Sequence, residues 1–256
     1  MIYTDYHVHT KYSPDSNANI IDYIKIAKEL GLEYLIFTDH VDFGTNDPDF
    51  SKVIDYDQYK KVMKALEDKY EIPIKIGVEI GYEKNYRDEI EEFLGKYNFD
   101  FIISSIHNGN DLDFYGGNFF TGKSKYDSYL EYFNMILEMV ENFTNYHVVG
   151  HLDFITRYGP YEDKHYKYSD YKDVIDEILK AIIKNNRGLE VNTSGLRGEL
   201  NTTFPKDEVL LRYKQLGGEI ITVGSDSHFP KDYKANFHEV IANLKSMGFD
   251  NINKLR

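Results

Sequence analysis

The chain has 256 residues, a formal net charge of −13 at pH 7 and no cysteine. The missing cysteines exclude disulfides, thiolate metal sites and a cysteine nucleophile. The negative charge repels phosphate backbones, and the sequence has no lysine and arginine stripe with interleaved aromatic residues, so nucleic acid is an unfavourable partner. A small substrate that carries positive charge fits this composition better.

The N-terminal sequence MIYTDYHVHT lacks the basic and apolar character of a signal segment. No apolar run approaches the roughly 20 residues that a membrane-spanning helix needs. We therefore expect a cytoplasmic protein with no membrane partner, and the sequence makes no prediction about its oligomeric state.

Hydrophobic spacing divides the chain into short apolar segments that alternate with longer amphipathic ones. The apolar segments predict strands at residues 1–9, 32–40, 74–80, 99–107, 147–154, 188–194 and 219–228. The amphipathic segments predict helices at residues 20–30, 57–69, around 90–94, 125–142, 171–185, 207–216 and 237–247. The first helix has Asn19 as its candidate N-cap and Gly31 as its stop.

Seven strands alternating with seven helices, with no eighth unit, predict a parallel sheet. Because each apolar strand needs both faces covered, we expect a closed α/β barrel that forms a single domain over residues 1–256. The active site of such a barrel lies at the carboxyl ends of the strands. Aromatic residues at helical spacing, such as Tyr129, Tyr132 and Phe133, are interpreted as core contacts.

Histidines cluster at those carboxyl ends. Six of the nine histidines end a predicted strand, and they do so on five different strands: His7, His9, His40, His107, His151 and His228. Glu79 and Asp226 occupy comparable positions. Eight nitrogen and oxygen ligands exceed what one catalytic metal takes, so the sequence predicts at least two ions, of Zn, Fe or Mn. His147 is expected in the core or at the barrel bottom, and His165 and His238 at the surface.

Several residues near this set have two possible roles. Asp15, in the loop after the first strand, is either a turn former or a group that completes a further metal site. Asp5, Asp39 and Asp153 either orient neighbouring imidazoles or bond to nearby backbone.

Two of the six arginines lie in loops above the predicted metal cluster. Arg157 and Arg197 are interpreted as phosphate clamps, because a guanidinium presents fixed bidentate donors, with surface ion pairs as the alternative. Acidic and aromatic loop residues are candidates for contacting the rest of the substrate, namely Asp42, Phe43, Tyr115 and Tyr161.

With these residues assembled, the chain resembles the PHP superfamily, named for its polymerase and histidinol-phosphatase members, and most closely its stand-alone phosphatases. The matching motifs are DYHVHT (5–10), FTDH (37–40), GVEIGY (77–82), SSIHN (104–108), GHLDF (150–154), RYGPY (157–161), EVNTSGLR (190–197) and GSDSH (224–228).

The resemblance implies a distorted (β/α)7 TIM-like barrel with two to three divalent metal ions. It implies one metal site of His7, His9, Glu79 and Asp226, a second of Glu79, His107 and His151, and a third of His40 and His228 with the residue at position 15. Many members carry histidine at that last position, whereas this chain has Asp15, which is either a ligand or a proton donor.

The activity implied is the metal-dependent hydrolysis of L-histidinol phosphate to L-histidinol and phosphate, a step of histidine biosynthesis. Asp15, Arg157 and Arg197 are the candidate catalytic residues.

One alternative function is that of a phosphoesterase of the same type acting on phosphotyrosine protein, a nucleotide or an oligonucleotide end. An amidohydrolase-like C–N hydrolase fits less well, because such barrels commonly place a bridging lysine where this chain has Ser104 to His107. A module that binds metal only for structure or regulation is the last alternative.

Overall fold

The computed structural model describes residues 3–109 and 112–254, so Met1 and Ile2 of the first predicted strand lie outside the described residues. The strands are β1 (Leu35–Phe37), β2 (His40–Asp42), β3 (Ile74–Gly81), β4 (Phe101–Ser105), β5 (Asn108–Gly109), β6 (Leu112–Asp113), β7 (Val148–Val149), β8 (Gly188–Asn192) and β9 (Ile221–Gly224). The α-helices are α1 (Ile20–Glu29), α2 (Tyr56–Tyr70), α3 (Arg87–Lys96), α4 (Lys125–Asn142), α5 (Ile155–Tyr158), α6 (Lys172–Lys184), α7 (Asp207–Gln215) and α8 (Phe237–Ser246).

The main sheet is parallel, with the order β1, β3, β4, β7, β8 and β9, and β2 also pairs with β3. Helices connect most of these strands, so the carboxyl ends of the parallel strands gather at one rim. The pairing register places His40 of β2 opposite Glu79 of β3, and Glu79 opposite Ile103 of β4. The residues that follow each strand therefore meet above the same end of the sheet.

The N-terminal segment closes this sheet into a barrel. The amide of Tyr6 donates to the Val223 carbonyl at 3.3 Å, and the amide of His9 donates to Ser227 at 2.9 Å, which joins the segment to the end of β9. On its other side, the Val8 carbonyl accepts the Thr38 amide at 2.9 Å, just beyond β1. The segment thus lies between the first and last strands of the sheet, and the predicted α/β barrel is confirmed in a distorted form.

Helix ends follow the local sequence. The Asn19 side chain accepts the Ile21 amide at the start of α1, and Gly31, at φ 65°, follows the last turn, as predicted. Helix α4 begins after Ser124, whose side chain accepts the Asp127 amide. Its aromatic face is buried, including Tyr129, which confirms the interpretation of that face as core.

Several strand predictions were wrong in extent. The segment before Thr10 forms only a single parallel bridge, between Val8 and Ser227, among its described residues. The predicted strand 32–40 is interrupted at Thr38 and Asp39, and the strand predicted over 147–154 is reduced to β7. The loop predicted at 157–161 begins inside α5, and the glycine-rich loop 108–122 contains the β5 and β6 pairing. In each case tertiary hydrogen bonds, rather than apolar spacing, decide where regular pairing stops.

Among the described residues, no helix is both long enough and apolar enough to cross a membrane.

At the opposite end of the barrel from the rim, His147 precedes β7, and its Nδ1 accepts the Ile102 amide at 3.0 Å. Burial, with a contribution from Arg187, lowers the pKa of His147 below its ordinary value. The unfolded chain therefore binds a proton more readily, so the stability that depends on a neutral His147 is fully present above pH 6.5 and is lost as the pH falls below it.

We expect His147→Asn to remove this pH dependence, because an amide oxygen accepts the same hydrogen bond without titrating. Between pH 7.5 and pH 5, wild type should lose at most about 1 kcal/mol more unfolding free energy than the variant, the usual net value of one hydrogen bond. Urea unfolding of both proteins at equal metal concentration across this range measures the difference. If the unfolding free energies of the two proteins changed in parallel with pH, the pKa of His147 would be the same in the folded and unfolded states, and the prediction would be wrong.

Candidate metal centre

The rim of the barrel brings all the predicted ligands into one connected cluster. Its members come from the N-terminal segment, β2, β3 and the chain following β4, β7 and β9, with one residue from the first loop. They are His7, His9, Asp15, His40, Glu79, His107, His151, Asp226 and His228, each with a side-chain atom within 4.0 Å of another member.

Glu79 lies at the centre of this cluster and is fully buried. Its Oε2 is 3.1 Å from Nε2 of His7, 3.5 Å from Nε2 of His9 and 3.0 Å from Nδ1 of His40. Several separate segments of the chain therefore direct imidazole nitrogens at one carboxylate oxygen.

The second oxygen of Glu79 faces the opposite side of the cluster. Its Oε1 is 3.1 Å from Nε2 of His107 and 2.9 Å from Nε2 of His151, and it accepts a hydrogen bond from Ser105 at 2.7 Å. The two oxygens thus face two different sets of imidazoles.

Asp226 adds a second carboxylate beside His7 and His9. Its Oδ1 is 3.4 Å from Nε2 of His9, 3.7 Å from Nε2 of His7 and 3.5 Å from Nδ1 of His228. The residue adopts a left-handed backbone conformation, at φ 54°, which aspartate tolerates better than most side chains. Its amide donates to the His7 carbonyl at 2.9 Å, which holds this turn against the N-terminal segment.

Asp15 reaches the cluster from the first loop. Its Oδ2 is 3.0 Å from Nε2 of His228 and 3.6 Å from Nε2 of His40. Although burial alone would raise its pKa, hydrogen bonds from His228 and His40 lower the pKa of Asp15 below its usual range. The structure therefore places an ionised carboxylate between two imidazoles at this position.

The donor set fits divalent metal ions. Buried atoms without a hydrogen-bond partner point into the cluster, and they include Nε2 of His7, Nε2 of His9 and Oε2 of Glu79. Such atoms are costly unless something satisfies them. Four groups have ligand atoms that all lie within 4.8 Å of one another: His7, His9 and Glu79; Glu79, His107 and His151; His9, His40 and His228; and His40, Asp42 and His107.

The charge states of the cluster also suit metal binding. Burial would raise the pKa of Glu79, but His7, His107 and His40 outweigh it and hold that pKa well below the usual range. Burial, together with His228 and His40, lowers the pKa of His9 well below its ordinary value. Although burial alone would lower them, neighbouring carboxylates raise the pKa of His7 and of His40 well above the ordinary value and the pKa of His107 to about 9. A divalent ion would take the place of the protons on these imidazoles.

Other polar groups hold three of the imidazoles by Nδ1, so that Nε2 faces the cluster. Glu190 contacts His7 at 2.5 Å, and Asp42 contacts His107 at 2.6 Å. Ser13 contacts His9 at 2.9 Å and donates to Asp39 at 2.8 Å. These partners set the ring orientation.

The orienting roles of Glu190, Asp42 and Ser13 were missed by the sequence reasoning. Glu190 had a usable signal, because it interrupts an apolar strand as Glu79 does. Ser13 had none, since a serine in a loop has many ordinary functions.

The three aspartates with two possible roles bond mainly to backbone and hydroxyl groups. Asp5 accepts the amides of His7 at 3.2 Å and Ser225 at 2.8 Å, and burial raises its pKa to about 6. Asp153 accepts the Tyr166 hydroxyl and the Lys206 amide. Asp39 acts on His9 through Ser13 rather than by direct contact.

The two arginines are close to Asp226. Arg157 donates to the Ser194 hydroxyl, its Nη1 is 3.9 Å from Oδ2 of Asp226, and its guanidinium lies over the Phe154 ring at 4.9 Å. Arg197 donates to the backbone carbonyls of Ser225 at 2.8 Å and Asp226 at 3.3 Å.

Two cavities open onto the cluster. The first cavity, of about 790 Å³, is lined by the metal rim and by the loops that contain Phe50 and Tyr115. The second cavity, of about 630 Å³, is lined by residues that include Lys164, Arg197 and Phe229. Arg157 lines both cavities.

Among the predicted substrate contacts, only Tyr115 and Asp42 line the first cavity within the described part of the chain. Asp42 is buried at the end of β2 and bonds to His107, so its assignment to a loop was wrong. Phe43 packs against Phe93, and the Tyr161 hydroxyl bonds to Ser128. These side chains face the protein interior rather than the cavity.

Histidines outside the cluster occupy the expected places. His147 bonds to backbone near the start of β7, and His165 and His238 are exposed.

Residues 5–194 match the model of the PHP domain, and the chain belongs to the PHP family. It is 36% identical to the histidinol-phosphatase of Lactococcus lactis subsp. lactis over 248 residues, which cover 96% of this chain and 91% of the relative. It is 26% identical to the histidinol-phosphatase of Bacillus subtilis, over 88% of this chain and 92% of the relative.

A solved structure supports the same relationship. The crystal structure of histidinol phosphate phosphatase from Lactococcus lactis, complexed with zinc, L-histidinol and phosphate, superposes with a TM-score of 0.88 at 34% identity. The match covers 96% of this chain and 94% of that one. The site geometry and the family therefore agree on a metal-dependent centre at the barrel rim.

Packing around His7 leads to a prediction at Gly224. A Cβ at this position would collide with Oε1 of Glu190 and with Cβ of His7. We expect Gly224→Ala to displace His7, to lower the metal content, and to cost about 1–3 kcal/mol of unfolding free energy, as overpacking usually does. Metal analysis of the purified variant and urea unfolding measure the two effects.

Gly95→Ala in α3 is the matched control, because a Cβ there would meet nothing within 4 Å. It should keep the full metal content and raise the unfolding free energy by up to about 1 kcal/mol, since alanine favours a helix more than glycine does. Full metal content and wild-type stability in Gly224→Ala would contradict the packing argument.

Proposed function

We propose that this chain is a metal-dependent phosphomonoesterase that hydrolyses L-histidinol phosphate to L-histidinol and phosphate, a reaction of histidine biosynthesis. The observation that carries the proposal is the buried set of imidazoles around Glu79, which opens onto a cavity bounded by Arg157. The similarity to histidinol-phosphatases over 96% of this chain supports the choice of substrate. We further propose that residues 1–256 act as one phosphoesterase domain.

Two or three divalent ions, of Zn, Fe or Mn, would be held by the three predicted ligand sets. The first set is His7, His9, Glu79 and Asp226, the second is Glu79, His107 and His151, and the third is Asp15, His40 and His228. When bound, such ions supply Lewis-acid activation of water and neutralise charge on the phosphoryl group. The zinc in the crystal structure of the Lactococcus relative supports zinc among these candidate ions.

Glu79 would organise the first two sets. Because its oxygens face different imidazoles, it is placed to keep both sets at a constant spacing. Glu190 and Asp42 would hold His7 and His107 in the tautomer that leaves Nε2 free as a ligand.

Arg157 would bind the phosphate oxygens. Its guanidinium is fixed by Ser194 and by stacking on Phe154, and it lies at the junction of the two cavities. Arg197 would act in two ways, by supporting the backbone of Asp226 and by adding positive charge to the second cavity.

The first cavity suits the leaving group, which carries an ammonium and an imidazole. Its lining includes the carboxylates of Asp47 and Asp113 and the rings of Phe50, Tyr115 and Tyr158. Carboxylates favour the ammonium by charge, and aromatic faces favour both cations and planar rings.

Asp15 fits a ligand role better than a proton donor role. It lies between Nε2 of His40 and Nε2 of His228, which are members of the third set. All six histidines of the rim also belong to the ligand sets, so the proton for the departing alkoxide would come from water in the open cavity.

We expect the metal-loaded enzyme to release phosphate from L-histidinol phosphate with a higher kcat/KM than from other phosphoesters. The panel should contain phosphotyrosine peptides, nucleoside monophosphates and phosphorylated oligonucleotide ends.

In Glu79→Ala, metal content should fall and kcat should decrease by at least about a thousandfold, because both ion sites lose a shared ligand. A clear preference for another ester would remove the substrate assignment, and full metal content in Glu79→Ala would remove the bridging role.

Arg157→Ala should mainly weaken phosphate binding. We expect KM for the ester and Ki for inorganic phosphate to rise by about ten- to a hundredfold, the value of a charge-assisted bidentate contact. Arg87→Ala is the control, because Arg87 is exposed on α3 and its nearest carboxylate, Asp88, is 3.9 Å away. Unchanged KM and Ki in Arg157→Ala would show that this arginine is not a phosphate clamp.

A further inference from the structure

The outer part of the second cavity, around Lys164 and Glu199, has no function in the reaction described so far. The second cavity meets the first cavity at Asp15, Arg157, Asp226 and His228, so both open onto the same part of the rim. A phosphomonoester hydrolase forms two products of different chemistry. Two cavities that share one rim offer each product its own side of the site.

The two cavities differ in charge. Among the described residues that line the first cavity, Arg157 is the only one with a positively charged side chain of the lysine or arginine type. The same lining contains several carboxylates and aromatic rings. The second cavity adds Lys164 and Arg197 to Arg157. It also adds two carboxylates, Glu199 and Asp232, so its additional charges balance, whereas the first cavity adds carboxylates, including Asp47 and Asp113, and no lysine or arginine among its described residues. The second cavity is therefore the better side for an anion.

Lys164 is weakly engaged within this cavity. Its Nζ lies 3.4 Å from the Arg157 carbonyl and 3.3 Å from Oε2 of Glu199, both long distances for charge-assisted hydrogen bonds. The Glu199 side chain is 87% exposed, so this ion pair is weak. An ammonium with three donors can exchange such a partner for a phosphate oxygen.

We infer that the second cavity is a binding site and passage for inorganic phosphate, with Lys164 as its outer cation and Glu199 as the carboxylate that competes for Lys164. This inference rests on the proposed function for its biological meaning. Phosphate would leave the rim past Arg157 and Arg197 toward Lys164, while the alcohol occupies the first cavity. No covalent step is involved, and Lys164 acts by charge alone.

The affinity of inorganic phosphate for the metal-loaded protein tests this inference, measured by isothermal titration calorimetry and by product inhibition. Lys164→Gln should raise the Kd of phosphate by about three- to tenfold, and Lys164→Arg should restore it, because charge is what the site requires. Glu199→Gln should lower the Kd by about two- to threefold, because it releases Lys164 from its competitor.

An exposed ion pair on α1 supplies the matched controls. Lys25 and Asp22 are 2.9 Å apart, and Lys25→Gln and Asp22→Asn make the same charge changes at exposed residues that line neither cavity. Each control should alter the Kd of phosphate by less than about twofold, because salt screens distant charges.

Opposite shifts in Lys164→Gln and Glu199→Gln, without matching shifts in the controls, would support the inference. An unchanged Kd in both variants, or shifts of the same sign, would overturn it. Equal shifts in the α1 variants would also overturn it, because the general charge of the protein would then account for the effect. If wild type hydrolysed no L-histidinol phosphate, the proposed function would fail, whereas the phosphate affinities would still decide the role of the second cavity.

Discussion

The structure depends on the burial of one ionised carboxylate. Glu79 has no exposed surface, and a buried charge costs several kcal/mol unless opposite charges or metal ions compensate it. The compensation comes from the imidazoles on both sides of β3, with His7 and His40 at Oε2 and His107 at Oε1. His9 and His151 contact the same two oxygens. The same convergence that makes the burial tolerable also produces a site for more than one divalent ion.

This convergence requires the barrel to close between its first and last parts. Asp5 is central to the closure, because its carboxylate accepts the amide of His7 and both the amide and the hydroxyl of Ser225. Burial raises the pKa of Asp5 to about 6, and the hydrogen bonds partly offset this effect. Gly224 is equally constrained, because only a hydrogen atom fits between Glu190 and His7. Ligand geometry is thus maintained by residues that need not touch a metal themselves.

Sequence reasoning was most accurate where local structure dominates. Helix α4 has the predicted bounds, and α1 has its predicted N-cap and glycine stop, because amphipathic spacing and capping are local signals. It was least accurate for the N-terminal segment and for residues 147–154, where apolar spacing predicted longer strands than the structure contains. In both places the chain leaves regular pairing to turn His7, His9 or His151 toward Glu79, and the hydrogen bonds that compensate lie far away in sequence.

By itself, the sequence determined the alternation of strands and helices and the rim on which the candidate ligands meet, because periodicity and the polarity of parallel strands are encoded locally. Only the tertiary structure decided which imidazole faces which oxygen of Glu79, that Glu190 and Asp42 orient His7 and His107, and that two cavities of different charge share the rim. These features depend on distances between segments that are far apart in the chain. Such distances arise only when the whole barrel closes and its core packs.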